Sequence, residues 1–211
     1  MSLVRITRDL SLQEVHRGTV DPVDAYTRLV EAWIFEPAKQ LASLYPSETD
    51  HGMALLALLL LYFEPHGQFL TGQSSEGQSK RTFCAAFDAF RVHLSENHKM
   101  QPETSDLLSE SFYKWARCGL FHSGRMSNEL LVDAMGMSNS CLSKNPILGG
   151  WLVNPWQLLI ELRNYNEAYT SRLVGAGTTD QLRKNFLQTY QVLVKEPADH
   201  FNTLQSKWLQ A

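Results

Sequence analysis

Twelve consecutive residues, Lys114-Trp115-Ala116-Arg117-Cys118-Gly119-Leu120-Phe121-His122-Ser123-Gly124-Arg125, bring basic, imidazole, hydroxyl and glycine residues together at the end of an apolar helical pattern. A guanidinium such as that of Arg117 binds a phosphate through paired N–H donors and neutralises its charge. An imidazole such as that of His122 moves a proton near neutral pH. With no metal, those two groups suffice to cleave RNA by attack of a 2′-hydroxyl on its own phosphate. Lys114 and Arg125 either extend a positive site for RNA phosphates or are ordinary solvated charges. Ser123 and Gly124 permit the helix to end.

The element that must position them is a helix over residues 103–122, opened by Pro102 and the Thr104-Ser105-Asp106 cluster. On an α-helical wheel Leu108, Phe112, Trp115 and Gly119 fall within about 60° of one another and make the core stripe. Arg117 lies opposite, with Tyr113 and Phe121 four residues to either side on the same outer face. Apolar residues flanking an arginine imply a cover for that face, either a long final helix or a second subunit, and a second subunit is the expected one. His122 stands about 140° from Arg117 in a continuous α-helix, so the two do not readily meet one phosphate. They meet only if the helix ends at Ser123-Gly124 and His122 swings back, or if two copies join across a two-fold axis. The plainer reading is that Arg117 forms an ion pair and His122 caps a helix C-terminus, where a cation is favoured.

The rest of the chain reads as scaffold. Residues 1–20 are weakly patterned and are expected to form an arm or a short first element, and residues 21–211 a single helical-bundle domain. Asp21-Pro22 is an N-cap followed by proline at the first helical position. Tyr26, Val30, Trp33, Leu41 and Leu44 then share a face, and Pro37 should kink or split that helix. A second helix from Thr49-Asp50 has an apolar run over 53–63 and is expected to be buried on all sides, with Glu64-Pro65 interrupting it. Residues 71–79 have the outline of a phosphate-binding loop. Gln78 replaces the lysine, and no strand precedes it, so a plain connection is the better reading. Residues 80–97 form an amphipathic helix with Phe83, Phe87, Phe90 and Leu94 inward. Short apolar runs at 129–134 and 148–153 suggest a small hairpin or loop insert. Asn154-Pro155 starts a helix packing Leu158, Leu162, Tyr165 and Tyr169. Thr178-Thr179-Asp180 caps another with Leu182, Phe186, Tyr190 and Leu193 inward, ended by Pro197. A terminal helix over 198–209 carries Trp208. There is no internal repeat. The sum is an all-α bundle of about five to seven helices with a small β or loop insert.

Composition excludes some function classes. A net charge of −3 lacks the broad basic surface of a protein that coats nucleic acid. Three cysteines with no CxxC spacing argue against a disulfide framework and for a reducing interior. The first residues lack the apolar run of a signal peptide, and the eleven-residue run at 53–63 falls short of the roughly 20 residues a spanning helix needs. A cytoplasmic protein that does not enter a membrane is expected. His51, His66, His93 and His98 have no metal-site spacing, so neither a metal nor another cofactor is expected.

The run from Arg117 to His122, near the end of a helix in an all-helical chain, resembles the Arg-x4-6-His motif of the HEPN superfamily. Trp115-Ala-Arg-Cys-Gly-Leu-Phe-His-Ser-Gly is similar to the form found in uncharacterised bacterial members. The Leu-rich helix running into Tyr-Phe-Glu-Pro, the loop with Ser79-Lys80, and Val153-Asn-Pro before the Trp156 helix are in keeping, so the resemblance spans about residues 50–195. It implies a helical bundle that dimerises with two motif helices lining a shared cleft. It also implies a metal-independent endoribonuclease of a toxin–antitoxin, phage-defence or stress-response system, with an antitoxin or other defence component as partner. Arg117 would then stabilise the phosphate and His122 would transfer protons, leaving 2′,3′-cyclic phosphate ends. Lys114, Ser123 and Arg125 would contact the RNA. The position after the arginine, often Asn, Asp or His in active members, holds Cys118. Gly124 stands where a subtype modified by a nucleotidyltransferase has tyrosine. Cys118 favours a second reading, a non-catalytic HEPN-like module that binds a nucleotide, RNA or a protein partner. A purely structural interaction protein is the third.

Overall fold

A computed structural model describes residues 5–44, 49–97, 108–123, 129–133, 138–145 and 149–208. Three acidic or amide caps start helices where the sequence places them. Asp21 accepts from the Val23 and Asp24 amides to open α2 (Pro22–Val30). Asn154 accepts from Trp156 and Gln157 to open α8 (Pro155–Gly175). Asp180 accepts from Leu182 and Arg183 to open α9 (Gln181–Tyr190). Each cap satisfies amides that have no partner within the helix. Phe83, Phe87, Phe90 and Leu94 of α6 (Ser79–Glu96) are all fully buried. They pack with α4 (Thr49–Leu60), α5 (Phe63–Thr71) and the first half of α8 in one apolar cluster. A second cluster joins α2, α9 and the N-terminal elements, with Phe69 of α5 and Tyr169 of α8. The architecture is an all-α bundle with a small β insert.

Residues 1–20, expected to be an arm or a short first element, are described from Arg5 onward. From Arg5 they form β1 (Arg5–Thr7), β2 (Leu10–Ser11) and α1 (Leu12–Arg17). Ser11 and Glu14 close a capping box at the start of α1, and Leu10, Leu12 and Val15 are buried in the second cluster. At the other end of α1, Lys195 donates to the Val15 and His16 carbonyls, and His16 Nδ1 lies 2.7 Å from Asp199 Oδ1.

The insert is a three-stranded sheet rather than the expected hairpin of 129–134 with 148–153. β3 (Leu130–Val132) runs parallel to β5 (Trp151–Val153), and β4 (Leu142–Lys144) pairs antiparallel with β5's other edge. The antiparallel partner of β5 comes from a segment that carries no strand pattern of its own.

Pro65 and Pro197 behave differently from expectation, and Pro37 marks a change of helix type. Pro197 does not end its helix. A π-helical turn, Glu31–Phe35, precedes α3 (Glu36–Leu44), and a second, Gln191–Lys195, precedes α10 (Glu196–Trp208). Proline has no N–H for the carbonyl four residues back, and its ring crowds that carbonyl. A shift to i→i+5 bonding absorbs the mismatch: Glu36 N–H donates to Glu31 O, and Glu196 N–H to Gln191 O. Rephasing turns Trp33 and Leu193 outward, against expectation, and brings Phe35 into the core. Pro65 sits inside α5, and the break falls earlier, at Leu61-Tyr62. α4 is not buried all round. Leu55, Leu56, Leu59 and Leu60 face the core, while Ala54 and, just past the helix end, Leu61 face outward. By length and composition the stretch His51–Thr71 is apolar enough to span a membrane, although more than half of its apolar window is buried within the fold.

Candidate functional site

The segment carrying Arg117 and His122 is helical but not α-helical. After α7 (Leu108–Phe112) the chain continues as an eleven-residue π-helix, Tyr113–Ser123. The ladder of a π-helix joins residues five apart, so Arg117 and His122 stand one turn from each other instead of on divergent faces. The same change moves the core stripe. Leu108, Phe112 and Ala116 are buried and Leu120 packs against them, a spacing of four. Trp115, expected in the stripe, packs against the same core while partly buried, as Leu120 does, and Gly119 is only partly buried.

Arg117 is held from several sides. Its Nη2 donates to Glu64 Oε2 of α5 at 3.1 Å. Its guanidinium carbon lies 5.3 Å from the Phe121 ring centroid and 5.9 Å from that of Tyr113. The two aromatics therefore share its face, as the spacing requires, and add cation–π attraction. Glu64 Oε2 also accepts from Ser79 Oγ at 2.6 Å, the short distance of a charge-assisted bond. The Tyr113 hydroxyl donates to Ser79 Oγ at 3.4 Å. Three elements, α5, α6 and the π-helix, thus converge on one carboxylate. The field there is favourable to an anion. Ser79 is the first residue of α6, whose first turn carries Lys80 and Arg81 and no acid, and whose Gln78 side chain accepts from Arg81 rather than capping the helix amides. The positive end of that helix meets Glu64.

Beside this cluster is a cleft of about 350 Å³ lined by Lys80, Glu110, Ser111, Tyr113, Lys114 and Cys118. Lys80 Nζ and Glu110 Oε2 pair across it at 2.6 Å, and this contact holds the Lys80 pKa above its ordinary value. Both are about half exposed, so the pair contributes little to stability. Lys114 is exposed. Cys118 is half-buried and faces the cleft rather than the core.

Compared with protein-family models, curated proteins and solved structures, the chain matches none.

Of the residues singled out in the sequence, Arg117 and His122 share the π-helix, His122 is exposed, and Lys114 borders the cleft. Arg125 and Gly124 lie outside the described residues, as does the Ser123 side chain. Among the described residues no cluster of three His, Cys, Asp or Glu side chains has the arrangement of a metal site. Sequence reading missed Ser79, Lys80 and Glu110. Ser79 and Lys80 fall at the end of a Gly/Ser-rich loop, and nothing local to them points to Arg117. Glu64 reads in the sequence only as part of a helix interruption, and its ion pair with Arg117 comes from tertiary packing.

Proposed function

We propose that the chain is a HEPN-like, metal-independent endoribonuclease that acts as a homodimer, in keeping with a role in phage defence, as a toxin or in stress response. The observation that carries this reading is the π-helix, which sets an exposed imidazole one turn from a guanidinium already held in place by a carboxylate and two aromatic rings. Among the described residues Arg117 engages Glu64 through one of its five N–H donors, and further donors would bind a phosphate. In the reaction His122 takes the proton of the 2′-hydroxyl. The 2′-oxygen bonds to phosphorus, Arg117 stabilises the charge that builds on the non-bridging oxygens, and the bond to the 5′-oxygen breaks. The leaving oxygen takes a proton from water or from His122 of a second copy. The products are a 2′,3′-cyclic phosphate and a 5′-hydroxyl. Lys114 and Lys80 line the path of the neighbouring phosphates.

The test is RNA cleavage by purified protein in EDTA. Wild-type protein cuts, Arg117→Ala and His122→Ala do not, and light scattering shows a dimer at micromolar concentration. No cutting by wild-type protein, or equal cutting by the variants, refutes the catalytic claim.

Two observations favour a second reading, a non-catalytic nucleotide- or RNA-binding module. Glu64 already neutralises Arg117, and Cys118 offers no strong polar contact beside it. RNA binding without cleavage, weakened by Arg117→Ala and by salt, is its signature.

A further inference from the structure

One short pattern occurs three times at proline-linked breaks: Trp33-Ile34-Phe35-Glu36-Pro37, Leu61-Tyr62-Phe63-Glu64-Pro65 and Leu193-Val194-Lys195-Glu196-Pro197. Each is two large apolar residues, a variable residue, then Glu-Pro. The copies are too short and too far apart to register as a repeat, yet the fold brings them together. Trp33, Ile34, Leu61, Tyr62, Leu193 and Val194, the first two residues of every copy, line one cavity of about 170 Å³.

The cause is the same in each copy. The first residue stands four before a proline, so its carbonyl has no α-helical donor and its turn is displaced outward. Trp33, Leu61 and Leu193 are 57%, 46% and 41% exposed around this cavity, an unusual cost for three large apolar side chains. The third residue of the first two copies, Phe35 and Phe63, turns into the core and anchors the break.

The cavity offers almost no polar surface. Tyr26, Tyr62 and His66 also line it, but their polar atoms are engaged with each other and with groups behind them. The Tyr26 and Tyr62 hydroxyls both lie within hydrogen-bond distance of Asn166 Oδ1 and His66 Nδ1, and His66 Nε2 lies 3.1 Å from the Tyr165 hydroxyl. Among the described lining residues no charged side chain is present, and the Trp33 indole N–H is the one donor outside the His66 network.

The geometry points to a binding pocket for a small uncharged apolar molecule, about one aromatic ring with a short substituent, built by the three Φ-Φ-x-Glu-Pro turns. The volume suits that class, since a dry apolar cavity of roughly 150 Å³ holds benzene. Proline fixes the backbone at each turn, which keeps the pocket from closing when empty.

Toluene titrated into the ¹⁵N-labelled full chain tests the proposal. Toluene gives saturable shifts confined to residues around Trp33, Leu61 and Leu193, and benzoate, its charged counterpart, binds at least about tenfold more weakly. Two filling variants, Ile34→Trp and Val194→Phe, each abolish toluene binding while keeping the wild-type circular dichroism. Three results overturn the proposal: toluene shifts that do not saturate, equal binding of benzoate, or unchanged binding by a folded filling variant. Shifts of the same residues with protein concentration alone, with toluene excluded, also overturn it and assign the face to a second copy of the chain.

Discussion

Glu64 and Arg117 are 53 residues apart in sequence and meet at 3.1 Å, the carboxylate from α5 and the guanidinium from a π-helix. Each side chain is about one-quarter exposed, so the pair is partly shielded from water without being desolvated. Such a pair contributes little to folding, but it fixes the plane of a guanidinium that is also set between two rings.

Glu64→Gln therefore separates stability from function. The variant loses no more than about 1 kcal/mol in urea unfolding. RNA cleavage falls by about tenfold, because Arg117 must then be oriented within each encounter. Arg117→Lys restores neither the fork geometry nor the ring contacts and cuts no better than Arg117→Ala.

His66 makes the fold acid-sensitive. Burial pushes its pKa from 6.5 down to about 3. The unfolded chain thus binds a proton that the native state refuses, and stability is full above pH 6.5 and lost as pH falls toward 3. Between pH 6.5 and 4.5 this group alone removes roughly 2 kcal/mol. Urea unfolding across that range reads the slope. His66→Gln is less stable at pH 7 but has a slope shallower by the same amount.

Gly67 sets the spacing of α5 and α6. A Cβ there would overlap the Thr82 carbonyl, which belongs to a rigid helix and cannot yield as a side chain does. Gly67→Ala forces the helices apart and lowers stability by on the order of 3 kcal/mol. A wild-type denaturation midpoint would show that the crossing is looser than described.

Much of the fold was legible because it depends on neighbours in sequence. Asp21, Asn154 and Asp180 cap their own helices, and the α6 stripe repeats at ordinary α-helical spacing. The departures all lie where the hydrogen-bond ladder shifts. A wheel drawn at the α-helical angle misplaces Trp33, Leu193 and Gly119, since each lies in an i→i+5 segment. Strands of three residues paired across the insert leave too little pattern to read. Within the candidate site, Arg117 and His122 were legible as a spacing on one element. Ser79 and Glu110 were not, because only tertiary packing joins them to it.

The central claim is that Arg117 and His122 use the RNA's own 2′-hydroxyl. The most direct measurement uses an oligoribonucleotide cut at one mapped position, incubated in EDTA, with product ends identified by mass spectrometry. The account predicts 2′,3′-cyclic phosphate and 5′-hydroxyl ends, and no cutting when that one nucleotide carries a 2′-deoxy sugar. Cutting of the 2′-deoxy substrate, or wild-type rates from His122→Ala, contradicts it.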